Sequence, residues 1–491
     1  MVLRSRVLAT VAAVALSMGL SAPAWAETLQ EAIALAYRTN PTLLAQRANQ
    51  RALDENIVQA RVGLRPTIDA TGSTGYSFTK VQGVDSSDET SASVGLSLSQ
   101  NLYTGGRVAH GITAAEAQIR AGREDLRDIE QTVLASVIQA YADVIRDVEI
   151  LRIRQENIKV LQRQLEESSA RFEVGEITRT DVAQSEARLA QSEADLANAQ
   201  AQLSVSRAAY AAVVGQSPGD LAPMPALPGV PTDFEQALDT GLAENPNVLG
   251  AAFNLQAAEA AVAQARAEYR PSVRLTSSYG GTSNSLTNPD LDAQSFRTTA
   301  SVSVPLFTGG LNASRVAAAL ERSNAAQIGV EGARRQVLQQ VSSAFAQVIS
   351  ARASLEAGEE STRAARVAAE GVRQEAQVGL RTTLDVLNQE LELRNAEVLL
   401  ANARRNEYVA QANLLSAMGR LGGVNLDPTI ETYDPAANYN RVRDRGALPW
   451  DGLVETLDRV AAPAIRPAQD APDAPIDTQL KGEVVRTAPR D

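Results

Sequence analysis

The sequence predicts an α+β membrane protein: long paired helices carry a few strands, and the whole unit is duplicated. Three observations predict it. Residues 107–172 hold no proline and only Gly111 and Gly122 among glycines. Their apolar residues recur mostly at steps of three and four: Val133, Val137, Tyr141, Val144, Val148, Leu151, then Ile158, Leu161 and Leu165. Two stretches just before them alternate with period two, as strands do. Residues 28–215 then match 233–419 almost without gaps. About 66 residues at ~1.5 Å each make a helix near 100 Å long, far more than an ordinary globular domain needs.

Composition narrows the class. The chain has 491 residues, aromatic residues make up 4%, and there is no cysteine. Lys80, Lys159 and Lys481 are the only lysines, so basic charge is nearly all arginine. Low aromatic content favours packed helices over a bulky core. A net charge of −12 argues against a nucleic-acid partner. Without cysteine there is no disulfide, thiolate metal site or cysteine nucleophile.

The N-terminus reads as a secretory signal over 1–26. Arg4 and Arg6 form its charged start, 7–20 its apolar core, and Ala24-Trp25-Ala26 a small-x-small site, with cleavage expected between Ala26 and Glu27. No cysteine stands there to take a lipid. No later stretch approaches the ~18 unbroken apolar residues of a membrane helix. Any membrane crossing must therefore be made by β-structure.

The repeats run 27–217 and 233–426, with a proline-rich connector at 218–232 and a C-terminal tail, partly disordered, at 427–491. Asn40-Pro41 matches Asn245-Pro246 and Arg65-Pro66 matches Arg270-Pro271, both shifted by 205. After the strands the shift is 204: Thr104-Gly105-Gly106 matches Thr308-Gly309-Gly310, and Tyr141 matches Phe345. Paired rigid helices would hold register in this way, because an insertion rotates everything after it. Each repeat opens with a short helix (29–38; 234–244) stopped by Asn-Pro. A second helix runs to Leu64 or Tyr269 and ends at Arg-Pro.

The strands follow. Over 67–78 the even positions are Ile68, Ala70, Gly72, Thr74, Tyr76 and Phe78, against Asp69, Thr71 and Ser73. Over 92–102 Val94, Leu96, Leu98 and Leu102 alternate with serines and Asn101. The second repeat offers Val273, Leu275 and Tyr279, then Phe296, Ala300, Val302, Val304 and Leu306, against Arg274, Thr276, Arg297 and Thr299. Strands of about eleven residues suit a tilted bilayer crossing, and Tyr76, Phe78, Tyr103, Tyr279, Phe296 and Phe307 fall near strand ends, as an interfacial girdle would place them. Four strands cannot close a barrel, and an open edge in lipid is forbidden. Other copies must complete it: two chains would give about eight strands and three about twelve.

Each long helix ends in a reversal. Gly175 and Gly379 suit a left-handed helix terminus. Thr178 and Thr382 are N-caps with Asp181 and Asp385 three residues on, a capping box with Asp in place of Glu. Returning helices span about 179–214 and 383–418, each ending at a glycine. Beyond Leu426 the helical pattern fades. His110, the only histidine, reads as a solvated residue. The Gly-Gly pairs lack the ending of a phosphate loop and read as bends where strand turns to helix. No catalytic constellation emerges, so no enzyme and no cofactor are expected.

The chain resembles the TolC family of outer-membrane efflux and secretion proteins over about 27–426. The resemblance is carried by the two strand exits, Tyr103-Thr104-Gly105-Gly106 and Phe307-Thr308-Gly309-Gly310. It is carried too by the two reversals, Val174-Gly175 through Asp181-Val182 and Val378-Gly379 through Asp385-Val386. It implies a homotrimer sharing one β-barrel in the outer membrane, with a helical coiled-coil tunnel in the periplasm. The partners it implies are lipid, a periplasmic adaptor and an inner-membrane ABC or proton-driven transporter. The function implied is passive conduction, gated at the periplasmic end, for type I protein secretion or drug efflux. Val174, Gly175, Val378 and Gly379 would then mark helix tips that meet the adaptor. Arg381 corresponds to a basic latch residue, with Thr180 and Asp181 as its acceptors. Asp385 corresponds to the first of two acidic constriction positions, whereas Asn388 departs from the second and Ala376 from a latch tyrosine. For Asp181 and Asp385, capping alone is the competing account. A helical spacer that conducts nothing, or an adaptor with long hairpins, are the rival classes.

Overall fold

The computed structural model describes residues 26–80, 82–83, 87–284, 291–426, 429–430 and 432–468. The signal segment before Ala26 and the tail beyond Ala468 lie outside these.

Both repeats follow one order. The first holds α1 (Leu29–Thr39), α2 (Pro41–Asp54), α3 (Asn56–Arg61), β1 (Thr67–Thr79), β2 (Ser87–Tyr103), α4 (Arg107–Glu173) and α5 (Arg179–Val214). The second holds α6 (Phe234–Glu244), α7 (Pro246–Ala267), β3 (Ser272–Ser283), β4 (Ala293–Ser303), α8 (Leu311–Gln377) and α9 (Thr383–Ala417). The expected rods are α4 and α8, each 67 residues without a break. The second repeat closes with α10 (Gly423–Leu426), and the tail adds α11 (Pro435–Val442) and α12 (Asp451–Arg459).

The chain divides into two compact units. One contains the strands, the tail, and the parts of α4, α8 and α9 nearest them. Its four strands form one antiparallel sheet in the order β1-β2-β3-β4. The register sorts the side chains as the alternation requires. Ile68 pairs with Leu98, Ala70 with Leu96, Leu96 with Tyr279, and Tyr279 with Phe296, so all share one face. The opposite face carries Ser73 opposite Ser93, and Arg274 opposite Asn101 and Ser301. The apolar face is bare: Ile68 is 70% exposed and Phe296 73%. β1 and β4 are the two edges, and neither has a second partner among the described residues.

Helices pack beside this sheet. Phe234, Leu238, Val337, Val341, Phe345 and Leu414 form one core, with the Phe234 and Phe345 rings edge-on at 5.6 Å. Ile57, Leu64, Val108, Ile112 and Ile119 form another, joined by Val454 of the tail.

The tail corrects the expectation that helical order fades after Leu426. Its short amphipathic helices bind the first repeat at several points. The Arg47 guanidinium sits 4.4 Å from the Tyr37 ring and 5.1 Å from that of Tyr433. Asn438 donates to Asp54 at 2.9 Å, and Arg65 pairs with Asp451 at 2.8 Å. The fully buried Asp458 carboxylate accepts from the Thr104 hydroxyl at 2.8 Å and from the Ala109 amide at 3.2 Å, capping α4 from the far end of the chain. His110 lies beside this cap and is buried, not solvated. Burial depresses its basicity.

Two further expectations shift. The helix expected to run to Leu64 breaks at Glu55 and resumes as α3 and a 3-10 turn (Val62–Leu64). The Asp54-Glu55-Asn56 run is poor in helix propensity, and Asp54 is drawn into hydrogen bonds with Gln50 and Asn438. β4 stops at Ser303, so Val304 and Leu306 lie outside it. Pro305 stands where the first repeat has Asn101; it has no amide to donate to a neighbour.

The other compact unit contains Ser136–Ala226 and Ser354–Val409. In it α4 pairs with α5, and α8 with α9, as helical hairpins. Tyr141 and Tyr210 are fully buried. The Tyr141 hydroxyl donates to the Ala222 and Glu27 carbonyls at 2.7 and 3.0 Å, and burial pushes its ionisation up to about 12. Glu27, the expected first residue after cleavage, bridges in parallel to Leu221 and accepts from Tyr210 at 2.7 Å.

Candidate functional site: the helix reversals

The reversals are built by local rules. Gly175 and Gly379 adopt φ of 79° and 78°. A Cβ on either would meet nothing within 4 Å, so the backbone conformation alone requires glycine there. Each returning helix is then capped by threonine and aspartate. The Thr178 amide and hydroxyl donate to Asp181 Oδ2 at 3.0 and 2.8 Å. The Thr382 amide and hydroxyl donate to Asp385 Oδ2 at the same distances, and the Asp385 amide returns a bond to the Thr382 hydroxyl at 3.2 Å. These threonine hydrogen bonds hold both carboxyls below the usual aspartate range.

Asp181 and Arg381 line one cleft of about 510 Å³, together with Thr178, Thr382, Ala376 and Arg373. Within the chain Arg381 bonds Glu375 at 2.7 Å, and that carboxylate raises its already high basicity. No hydrogen bond or ion pair joins Arg381 to Thr180 or Asp181 among the described residues. Asn388 accepts from Arg188 at 3.1 Å, a link between the two hairpins. Thr180, Val174, Gly175, Val378 and Gly379 lie on the exposed surface outside the cleft. Val174 and Val378 are 73% and 71% exposed, and Leu380 is 75%. The reversals therefore offer an apolar surface flanked by charged groups.

Sequence reasoning missed Glu375 as the partner of Arg381 and Arg188 as the partner of Asn388. The first lies six residues away, beyond helical spacing, and the second 200 residues away. A second cavity of about 820 Å³ is rich in arginine. Its guanidiniums are largely paired already: Arg146 with Asp147, Arg152 with Glu149, Arg366 with Glu397 and Arg405 with Asp143. That pairing leaves little unsatisfied positive charge for an anion.

Comparison with known proteins agrees with this architecture. The family model described as outer membrane efflux protein matches residues 32–216 and again 237–420, one match per repeat. The outer membrane efflux protein BepC of Brucella suis is 35% identical over 431 residues, covering 88% of this chain and 92% of that protein. Outer membrane protein TolC of Escherichia coli is 28% identical over 429 residues, covering 83% and 85%. The crystal structure of the Neisseria gonorrhoeae MtrE outer membrane channel in its open state aligns with a TM-score of 0.70 at 25% identity, over 82% of this chain and 91% of that one. With both repeats matched and a relative of this identity spanning most of the sequence, the chain belongs to the outer membrane efflux protein family, the TolC-like channel proteins.

Proposed function

We propose that this chain is one protomer of an outer-membrane channel-tunnel, a passive conduit for export that is gated at its periplasmic reversals. The observation that carries the reading is the sheet. It has a bare apolar face, an opposite face of Ser, Thr and Arg, and two edges unpartnered among the described residues. In lipid such a sheet must close with other copies, and three chains make a twelve-stranded barrel. Both edges being free on one protomer suits heterologous, ring-closing contact. The helical hairpins would continue the conduit across the periplasm as an α-barrel. Among described residues no helix is long and apolar enough to span a membrane.

The gate reading places Asp385 and Asn388 at a constriction, where copies of the Asp385 carboxylate around an axis form a ring that attracts cations, with Asn388 adding no charge to it. Arg381 latches the reversals, with Thr180 and Asp181 as acceptors in the assembled state. Exposed Val174 and Val378, next to Gly175 and Gly379, form the surface for a periplasmic adaptor. That adaptor links the conduit to an inner-membrane ABC or proton-driven transporter, which supplies the energy. The cargo is small molecules, proteins of a type I system, or both.

Single-channel recording in planar bilayers tests the conduit. A helical spacer passes no current, and a silent, correctly inserted protein would retire the proposal. Asp385→Ala is expected to lower cation selectivity and block by multivalent cations; unchanged selectivity removes Asp385 from the ring. Arg381→Ala is expected to raise closed-state current, and an unchanged current removes the latch.

A further inference from the structure

We propose that the outer face of α12 is a seam that receives the second-repeat strand exit of a neighbouring copy of this chain. The proposal rests on barrel closure between copies and specifies where they grip each other beyond the strands. α12 is two-sided. Val454 and Asp458 are buried against the first repeat, while Trp450, Leu453, Leu457 and Val460 are 46%, 71%, 56% and 59% exposed. Their spacing of three, four and three puts them in one stripe.

The two strand exits differ in cover. In the first repeat Thr104, Gly105 and Gly106 are buried, and the Tyr103 hydroxyl donates to the Val460 carbonyl at 3.2 Å. A Cβ at Gly106 would lie 2.4 Å from Ala462 Cβ of the tail. Among the described residues the corresponding exit of the second repeat has no such strap. Leu306 and Phe307 are 92% and 90% exposed, flanked by Val304 and Leu311 at 50% each. A Cβ at Gly309 or Gly310 would meet nothing within 4 Å.

The sheet topology brings the two bare patches together. β1 begins at Thr67 opposite Ser99, and β4 ends at Ser303 opposite Ser272. Because β2 and β3 pair antiparallel between those points, the start of β1 and the end of β4 lie at the same end of the sheet. When β4 of one copy pairs antiparallel with β1 of the next, its exit runs beside Arg65 of that next copy. Arg65 holds the start of α12 through Asp451. The stripe and the exit then cover each other, and among the described residues both apolar patches are left exposed by their own chain. A second copy is the occupant because the same edge pairing that closes the barrel delivers it.

The chain has no cysteine, which makes a clean cross-linking test. Leu453→Cys and Phe307→Cys chains are produced separately and together, purified in detergent and mildly oxidised. The mixture is expected to give a reductant-sensitive band of two-chain mass, absent from each variant alone. A multimer by light scattering that yields no such band overturns the seam and leaves barrel closure standing; a monomer overturns both. A dye attached through Leu453→Cys is also expected to be shielded from spin-labelled lipid in vesicles. Strong quenching by that lipid would assign the stripe to the membrane surface and overturn the seam.

Discussion

The two helical hairpins share a geometry and differ in what crosses between their helices. In the α4–α5 pair the crossings are made largely by serines and asparagine. Asn157 donates to Ser192 at 2.8 Å, Ser168 meets Ser185 at 3.3 Å, and Ser206 donates to the buried Asp147. One partly exposed ion pair, Arg154 with Asp195 at 3.3 Å, joins them. At a shift of 204 these positions become Ser361 and Ala396, Val372 and Gln389, Ala351 and Ala410. The α8–α9 pair instead carries an alternating chain of charge. Arg366 pairs with Glu397 at 3.1 Å, Glu397 with Arg394 at 2.7 Å, Arg394 with Glu390 at 3.5 Å, and Glu390 with Arg373. Duplication kept the helix spacing and exchanged the fastening. Small hydroxyls tolerate replacement singly, whereas a buried carboxylate between two guanidiniums ties its neighbours to its own charge.

The largest expected effect comes from that carboxylate. Glu390 is 3% exposed, so Glu390→Ala takes one carboxylate from Arg373 and Arg394 at once, leaving them Glu370 and Glu397, and is expected to cost about 3 kcal/mol locally. Amide exchange should rise in the α8–α9 hairpin and stay unchanged in α4–α5. The pair Arg373→Met with Glu390→Leu should recover most of the loss, because apolar isosteres replace a buried pair well. Equal exchange in wild type and Glu390→Ala would erase the contrast. Asn157→Ala is next in size, about 1–3 kcal/mol, because it leaves the Ser192 hydroxyl buried without its donor. Its effect should be the same at low and high salt, whereas the exposed end of the charged chain at Arg366 should weaken as salt rises.

The smallest effect tests what the hairpins share. Asp181 and Asp385 both have depressed folded-state values, so their caps are complete above the usual aspartate value of 3.8 and are lost as pH falls through the lower folded values. Exchange protection at the first turns of α5 and α9, measured against the intrinsic rate at each pH, should therefore fall together in that acid window and stay flat from pH 5 to 8. Asp181→Asn and Asp385→Asn should each remove the acid response from its own turn alone.

Local rules made much of this legible in sequence. The 67-residue helices follow from an unbroken stripe, the glycine reversals from their φ, and the two-faced sheet from strict alternation. The caps follow from a threonine three residues before an aspartate. Distant choices were hidden. Asp458 reaches Thr104 across 354 residues, and nothing near either residue signals it. His110 looked solvated because the tail that covers it is two helices of eight and nine residues. The end of β4 turned on Pro305 at an edge, where the homologous Asn101 sits between paired strands. At the reversals the residue types were readable, but the partners of Arg381 and Asn388 were not, since exposed charges choose among several neighbours at little cost.

The carboxylate that caps α4 has a bearing on biogenesis. Ribosomes add roughly 5–20 residues per second, so 354 residues separate the junction at Thr104 from its cap by roughly 20–70 s of synthesis. The first strand-to-helix junction must wait for Asp458 to be made before its amides gain this partner. A product terminated before Asp458 would lack that fastening, so the junction registers whether synthesis has passed residue 458.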